Sequence, residues 1–249
     1  NGRFELNNKY FLHQSEGVSM EFDDGYPKIG KVFSDKMTDL LGETRGDDEK
    51  INNKHKDIAA SVQFQFEKAL FNTLDHLGKK YPNKKQLCMA GGCAQNSLAN
   101  GKITNISTFD EVWVQPAAGD AGGALGAAII AQIDNFNSST FSMQSASLGL
   151  SYENNEIAKI LNEDLRLNQF SLKYFEEDNE LENEVVKQIM NGNVIGFFHG
   201  SFEWGPRALG NRSIIVDPRI ENMKELLNQK IKKREGFRPF APSIIEDQI

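Results

Sequence analysis

Between residues 57 and 81 the apolar positions Ile58, Val62, Phe66, Ala69, Leu70, Leu74 and Leu77 recur at intervals of three and four. That spacing predicts one long helix with a single apolar stripe. "YPNKK" ends it, and "QLCMA" reads as a short buried strand stopped by Gly91 and Gly92. "CAQNSLANGKI" reads as a helix opening directly after that turn, "EVWVQP" as a strand closed by Pro116, and "AGGALGAAIIAQI" as a helix of small residues. The order is helix, strand, glycine turn, helix, strand, glycine turn, helix. Such alternation predicts an α/β sheet whose ligand sits at the carboxyl ends of its strands.

The flanks are less regular. "FDDGYPKIGKVF" reads as a turn with short strands and "GETRGDDEKINNKHK" as a polar loop. Residues 134–147 are polar and serine-rich, the best linker in the chain. Beyond them, "ENNEIAKILNE" is expected to be helical, "SLKYFE" a strand, and "NELENEVVKQIMNG" a helix capped at its end by Gly192. "NVIGFFHG" and "RSIIVDP" read as strands and "IENMKELLNQKIKKR" as a helix from about Ile220 to Lys232. No internal repeat or low-complexity segment is seen.

Composition narrows the class. With 249 residues, 39% hydrophobic and 25% charged, the chain reads as globular, with length for one large domain or two smaller ones. No run approaches about eighteen apolar residues and no charged-then-apolar leader opens the chain, so neither a membrane span nor a signal peptide is expected. Two cysteines, Cys88 and Cys93, fit a reducing compartment. The net charge of −7 argues against wholesale nucleic-acid binding. The charge is uneven, however: residues 204–240 hold nine Lys or Arg against four acids. A basic island in an acidic chain fits a small anion as well as a solvated face.

Three stretches carry candidate chemistry. Gly91 and Gly92, and then Gly119, Gly122 and Gly123, sit at strand-to-helix turns, where backbone amides can approach phosphate; tight turns and close packing use the same residues. Asp120 is a lone carboxylate among those glycines. It reads either as a helix cap or as a ligand for a cation beside a phosphate. His13, His55, His76 and His199 show no metal-site spacing. In "GSFEWGPRALGNRSIIVDPR" and "NQKIKKREGFRPFAPS", Arg207, Arg212, Arg219, Lys230, Lys232, Arg234 and Arg238 surround proline and glycine turns. The Arg fork and the Lys point charge both suit phosphate or carboxylate.

Four blocks, "GGCAQNSLANGKI", "VWVQPAAGDAGGALGAA", "FEWGPRALGNRSIIVDPR" and "IKKREGFRPFAPS", resemble in sequence and order those of the nodulation- and antibiotic-type O-carbamoyltransferases. The looser "FDDGYPKIG" and "DIAASVQ" extend the resemblance over nearly the whole chain. It implies an α/β fold in which residues 1–147 are the second half of an actin-like (ASKHA-type) ATPase-superfamily domain. Residues 148–249 would be the opening part of a YrdC-type domain. Because family members are larger and the chain opens on Asn1, a piece of a longer polypeptide is expected. The family's His-x-x-x-His iron ligands would then lie upstream and the rest of the second domain downstream.

The resemblance also implies the activity. Carbamoyl phosphate and ATP would give carbamoyl adenylate, and the carbamoyl group would pass to a hydroxyl of a small-molecule acceptor. By match of motif positions, Arg207, Lys232 and Arg238 hold carbamoyl phosphate and nucleotide phosphates as catalytic residues. Gly91, Gly92 and Asn96, with Gly119, Gly122 and Gly123, line the nucleotide turns, and Asp120 ligates a divalent metal, Fe2+. Cys93, where the family often carries valine, is expected to be a small packed side chain. The protein is expected in the cytoplasm, without membrane or nucleic-acid partners. Two other readings stay open: a tRNA threonylcarbamoyl-transfer relative, against which the acidic balance and domain order count, and an actin-like nucleotide switch without chemistry, which would need no second anion site. The acceptor is left open among sugar, aminoglycoside, cephem and nodulation-factor hydroxyls.

Overall fold

A computed structural model of the chain describes residues 2–23, 26–46, 48–136, 142–164, 166 and 169–248. It is mixed α/β and divides into two compact units, Asn1–Gln115 and Pro116–Ile249. The middle of the expected linker, residues 137–141, and residues 24 and 25 of the expected turn lie outside the described residues.

In the first unit, strands β1 (Met20–Asp23) and β2 (Tyr26–Ile29) pair antiparallel, and a short helix α1 (Asp35–Leu41) follows. The predicted long helix is α2, Asn53–Lys80. Asn52 and His55 exchange side-chain-to-backbone hydrogen bonds across its first turn, at 3.3 Å each, which satisfies donors that a helix start leaves open. Only the C-terminal half of its stripe builds core: Leu74 packs with Leu87, Ile103 and Phe109, bordered by Leu70, Phe71, Leu77, Met89 and Val112. Val62 is exposed. Strands β3 (Gln86–Met89) and β4 (Glu111–Val114) pair parallel, Leu87 opposite Val112. The strand expected to be buried is covered at Leu87, while Cys88 is exposed.

The helix expected after the glycine pair is instead three short turns: a 3-10 turn Gly92–Gln95, then α3 (Ser97–Asn100) and α4 (Ile103–Ile106). Asn96 breaks the run. Its backbone is non-helical (φ −77°, ψ 88°), and its side chain accepts the Ala99 N–H at 3.1 Å. An Asn that caps begins a new helix rather than continuing the old one.

The second unit opens on a turn into α5 (Gly122–Phe136), followed by α6 (Asn154–Glu163) and α7 (Asp178–Met190). Gly192, at φ +83°, ends α7 as the sequence predicts, and the Asn193 N–H closes back on the Gln188 carbonyl at 3.0 Å. "SLKYFE" is no strand; residues 171–176 pair with no neighbour in a sheet, and Leu172 and Tyr174 are exposed. Its alternation registers no buried face for a ladder to cover. Strands β5 (Ile195–Phe198) and β6 (Arg212–Ile215) form an antiparallel hairpin joined by the long loop 199–211. The last helix is shorter than predicted. α8 covers Met223–Leu226 and widens into a π turn over Leu227–Ile231, where the Lys232 N–H reaches back five residues to the Leu227 carbonyl at 2.8 Å.

Candidate functional site

The two glycine turns fall one in each unit, and each is described by itself. In the first, Gly91 has φ +96°, a conformation that side chains other than glycine rarely adopt. A Cβ added at Gly91 or Gly92 would meet nothing within 4 Å, so the space before this turn is open. Asn96, predicted as a ligand contact, is half-buried and holds the turn together. It caps α3, and its amide exchanges hydrogen bonds with Gln63 at 2.9 and 3.3 Å. Gln63 in turn donates to Glu67 at 2.9 Å, and Lys102 donates to both Glu67 oxygens at 2.7 Å. The Gln63 amide first, and Lys102 after it, hold the Glu67 carboxyl below the usual glutamate range. The expectation that Cys93 is packed is corrected: its thiol is exposed, and the next residue, Ala94, is the one turned inward.

The second turn places Gly119 and Asp120 in the bend ahead of α5, which Gly122 and Gly123 open. Gly122 and Gly123 donate to the Gly119 and Asp120 carbonyls at 3.0 Å each. Ala117 and Ala118 are buried behind it, while Asp120 is exposed. Its carboxylate receives none of the described hydrogen bonds, so the turn gives no support to a capping role. A Cβ at Gly123 would also meet nothing within 4 Å. No group of three or more His, Cys, Asp or Glu able to hold a metal occurs among the described residues. Asp120 can therefore offer a cation one carboxylate, and these residues do not complete a metal centre.

The basic island resolves into two loops. In the β5–β6 loop, Gly205 (φ +110°) presses against the turn just described: a Cβ there would stand 2.7 Å from the Pro116 carbonyl oxygen and 3.3 Å from the Ala117 nitrogen. Only glycine allows that approach. Glu203, a buried carboxylate that sequence reading missed, closes the loop from inside. It accepts backbone N–H groups from Leu209 (2.8 Å), Asn211 (3.1 Å) and Arg212 (3.3 Å). Arg212 donates to the Gly205 carbonyl at 2.6 Å and lies 3.7 Å from Glu203. Asn211 ties the loop to Ser147 at 2.8 Å and to the Ser201 carbonyl at 2.9 Å. The indole N–H of Trp204 is buried without a partner among the described residues. Arg207, between these fixed points, is exposed and has no partner among the described residues.

The second loop, 228–238, hangs on Asn228, which is fully buried. Lys232 is exposed and its side chain has no partner among the described residues. Arg238 is half-exposed and bonded to Glu235 at 2.8 Å. Arg234 lies over the Phe240 ring at 4.8 Å. Arg219 is committed elsewhere, forking onto Asp217 at 2.6 to 3.1 Å; that pairing and the Arg219 backbone N–H push the Asp217 carboxyl down to about 2. Of seven cations singled out in the island, Arg212, Arg219 and Arg234 thus serve structure. Arg207 and Lys232 stand free on loops that are each closed by contacts of their own.

Comparison with known proteins places the chain in a family. The chain matches the carbamoyltransferase N-terminus model over residues 25–129 and the carbamoyltransferase C-terminus model over residues 186–249. It is 38% identical, over its whole length, to the uncharacterised Synechocystis protein sll1178. It is 39% identical to nodulation protein NolO of Bradyrhizobium diazoefficiens and 38% identical to nodulation protein NolNO of Sinorhizobium fredii, each over 78% of the chain. The chain belongs to the nodulation-type carbamoyltransferase family. It spans 38, 35 and 28% of the lengths of these three relatives, in that order. No described helix is long and apolar enough to cross a membrane.

Proposed function

We propose that this chain is part of a cytoplasmic, ATP-dependent O-carbamoyltransferase. Residues 1–147 would belong to an actin-like transfer domain and residues 148–249 to a YrdC-type domain that activates the carbamoyl group. Carbamoyl phosphate gives up its phosphoryl group to water, and the carbamate left behind attacks the α-phosphorus of ATP, forming carbamoyl adenylate and releasing pyrophosphate. A hydroxyl of a small-molecule acceptor then attacks the carbamoyl carbon, and AMP leaves.

The observation that carries the reading is Arg207: an exposed guanidinium without a partner among the described residues, on a loop fixed by Glu203, whose backbone at Gly205 rests on the turn leading to Asp120. A loop whose backbone is fixed before the ligand arrives loses less freedom on binding, and a guanidinium it carries can stabilise charge that develops on phosphate oxygens. Lys232 and Arg238 add to the field. The open space before Gly91 and Gly92 suits the approach of nucleotide phosphates. Asp120 would give one oxygen to a divalent cation whose other ligands come from beyond this chain; such a cation supplies Lewis acidity.

The test uses the complete gene product with carbamoyl phosphate, ATP and a panel of hydroxyl acceptors, following pyrophosphate and AMP separately. Asp120→Ala should abolish transfer and spare adenylate formation, whereas Arg207→Ala should suppress adenylate formation itself. Pyrophosphate release that does not depend on carbamoyl phosphate, or no dependence on either residue, would overturn the assignment.

A further inference from the structure

Asn228 is polar and fully buried, and it opens the stretch "NQKIKKREGFRPFAPS", where the sequence assigns it no role. Burying an amide is unfavourable unless its groups are bonded, and here they are. Its Nδ2 donates to the Arg238 carbonyl at 2.9 Å and to the Gly236 carbonyl at 3.2 Å, while its Oδ1 accepts from Nε of Arg234 at 2.7 Å. Its own carbonyl accepts the Arg234 N–H at 2.9 Å. Four bonds from one residue therefore fix three points of the loop 234–238, one of them the backbone of Arg238. Asn228 lies on the π turn directly after Leu227, which is buried as well. The same widened turn sets Lys232, whose N–H closes it, and Lys233 leaves it at φ +47°.

We propose that Asn228 is a positioning residue for anion binding: it fixes the path of the loop, so that the Arg238 guanidinium and the Lys232 ammonium are held ready for a phosphate group. This rests on the reading of these loops as phosphate-binding. It makes Asn228 act through Arg238 rather than on the ligand.

The experiment measures binding of inorganic phosphate to the complete gene product by titration calorimetry, with thermal unfolding alongside. The variants are Asn228→Asp, Arg238→Ala, their double, and Arg234→Gln. Asn228→Asp keeps the shape but sets oxygen against two carbonyls, and should weaken phosphate binding about tenfold. In the Arg238→Ala background the same change should add little, because interacting residues are not additive. Arg234→Gln, which removes one of the four bonds, covers the case in which Asn228→Asp does not fold and should weaken binding by a smaller factor. Native affinity in a folded Asn228→Asp protein, native affinity in Arg234→Gln when the Asp variant does not fold, or full additivity with Arg238→Ala would overturn the positioning role while leaving the phosphate reading intact. If Arg238→Ala itself binds phosphate normally, the phosphate reading of this loop falls and the positioning role with it.

Discussion

In the first unit, the side chain that the motif assigns to a ligand carries the framework. Asn96 caps a helical turn and joins Gln63, Glu67 and Lys102 in one chain of hydrogen bonds. In the second unit those duties are separated: Glu203 and Asn228 hold the loops from inside, and Arg207 and Lys232 are left open. A loop whose buried carboxylate or amide is already paired can present a bare cation, because neither group needs it. Separation of this kind lets chemistry and stability be perturbed independently. In the first unit they would change together.

The strongest way to break the contrast is at its glycines. Gly205→Ala combines a φ of +110° with a Cβ 2.7 Å from the Pro116 oxygen, a backbone atom that cannot swing aside. Strain and overpacking together should cost roughly 3 kcal/mol or more in urea unfolding. Gly91→Ala has the strain without the neighbour and should cost about 1–3 kcal/mol. Gly92→Ala has neither, and should leave stability within about 0.5 kcal/mol. If Gly205→Ala unfolds no more easily than Gly92→Ala, the docking of the loop on the Pro116 turn is wrong.

Next in size is Glu203. Glu203→Ala leaves the N–H groups of Leu209, Asn211 and Arg212 without their acceptor, at roughly 2–3 kcal/mol. Glu203→Gln keeps an acceptor for Leu209 and Asn211 and should recover more than half of the loss. Equal melting temperatures for the two variants would show that the carboxylate does not organise the loop.

How much of this was open to sequence reading depends on which kind of residue was asked. Repeating apolar positions announce α2, and a glycine after a helical run announces the end of α7, because both are local rules. Glu203 and Asn228 obey no period. Each is fixed by partners six to ten residues away, across a turn that only the folded loop creates. A trace was present nonetheless: Asn228 follows directly on Leu227, four residues after Met223, where a polar residue on a buried face needs a tertiary partner. Asn96 was singled out by its motif, but its structural duty was invisible, because Gln63 lies on α2, 33 residues earlier.

Third comes the pair that measures the separation of duties. Arg207→Ala removes no described bond, so melting should shift little while use of carbamoyl phosphate by the complete gene product falls at least tenfold. Arg212→Ala removes the bond to the Gly205 carbonyl and should cost about 1 kcal/mol of stability. Lys224→Ala and Lys233→Ala, exposed charges, should do little in either assay. Small and equal effects across the set would reduce the island to a solvated face.

The smallest effect separates the two units by acid. Glu67 in the first and Asp217 in the second both have folded pKa values below their ordinary 4.5 and 3.8. A depressed carboxylate contributes stability that is complete above its ordinary pKa and fades as pH falls through its folded one. The Glu67 contribution should therefore begin to fade below 4.5, and that of Asp217 should fade between 3.8 and about 2. Melting curves taken from pH 6 downward should show Glu67→Gln flattening the upper part of the acid limb and Asp217→Asn the lower part. Asp217 meets an Arg219 whose side chain is 77% exposed, so salt should shrink its share. An acid limb unchanged by Asp217→Asn would show that the Arg219 fork does not persist in solution, and Arg219 would then join Arg207 and Lys232 as a cation open to the anion.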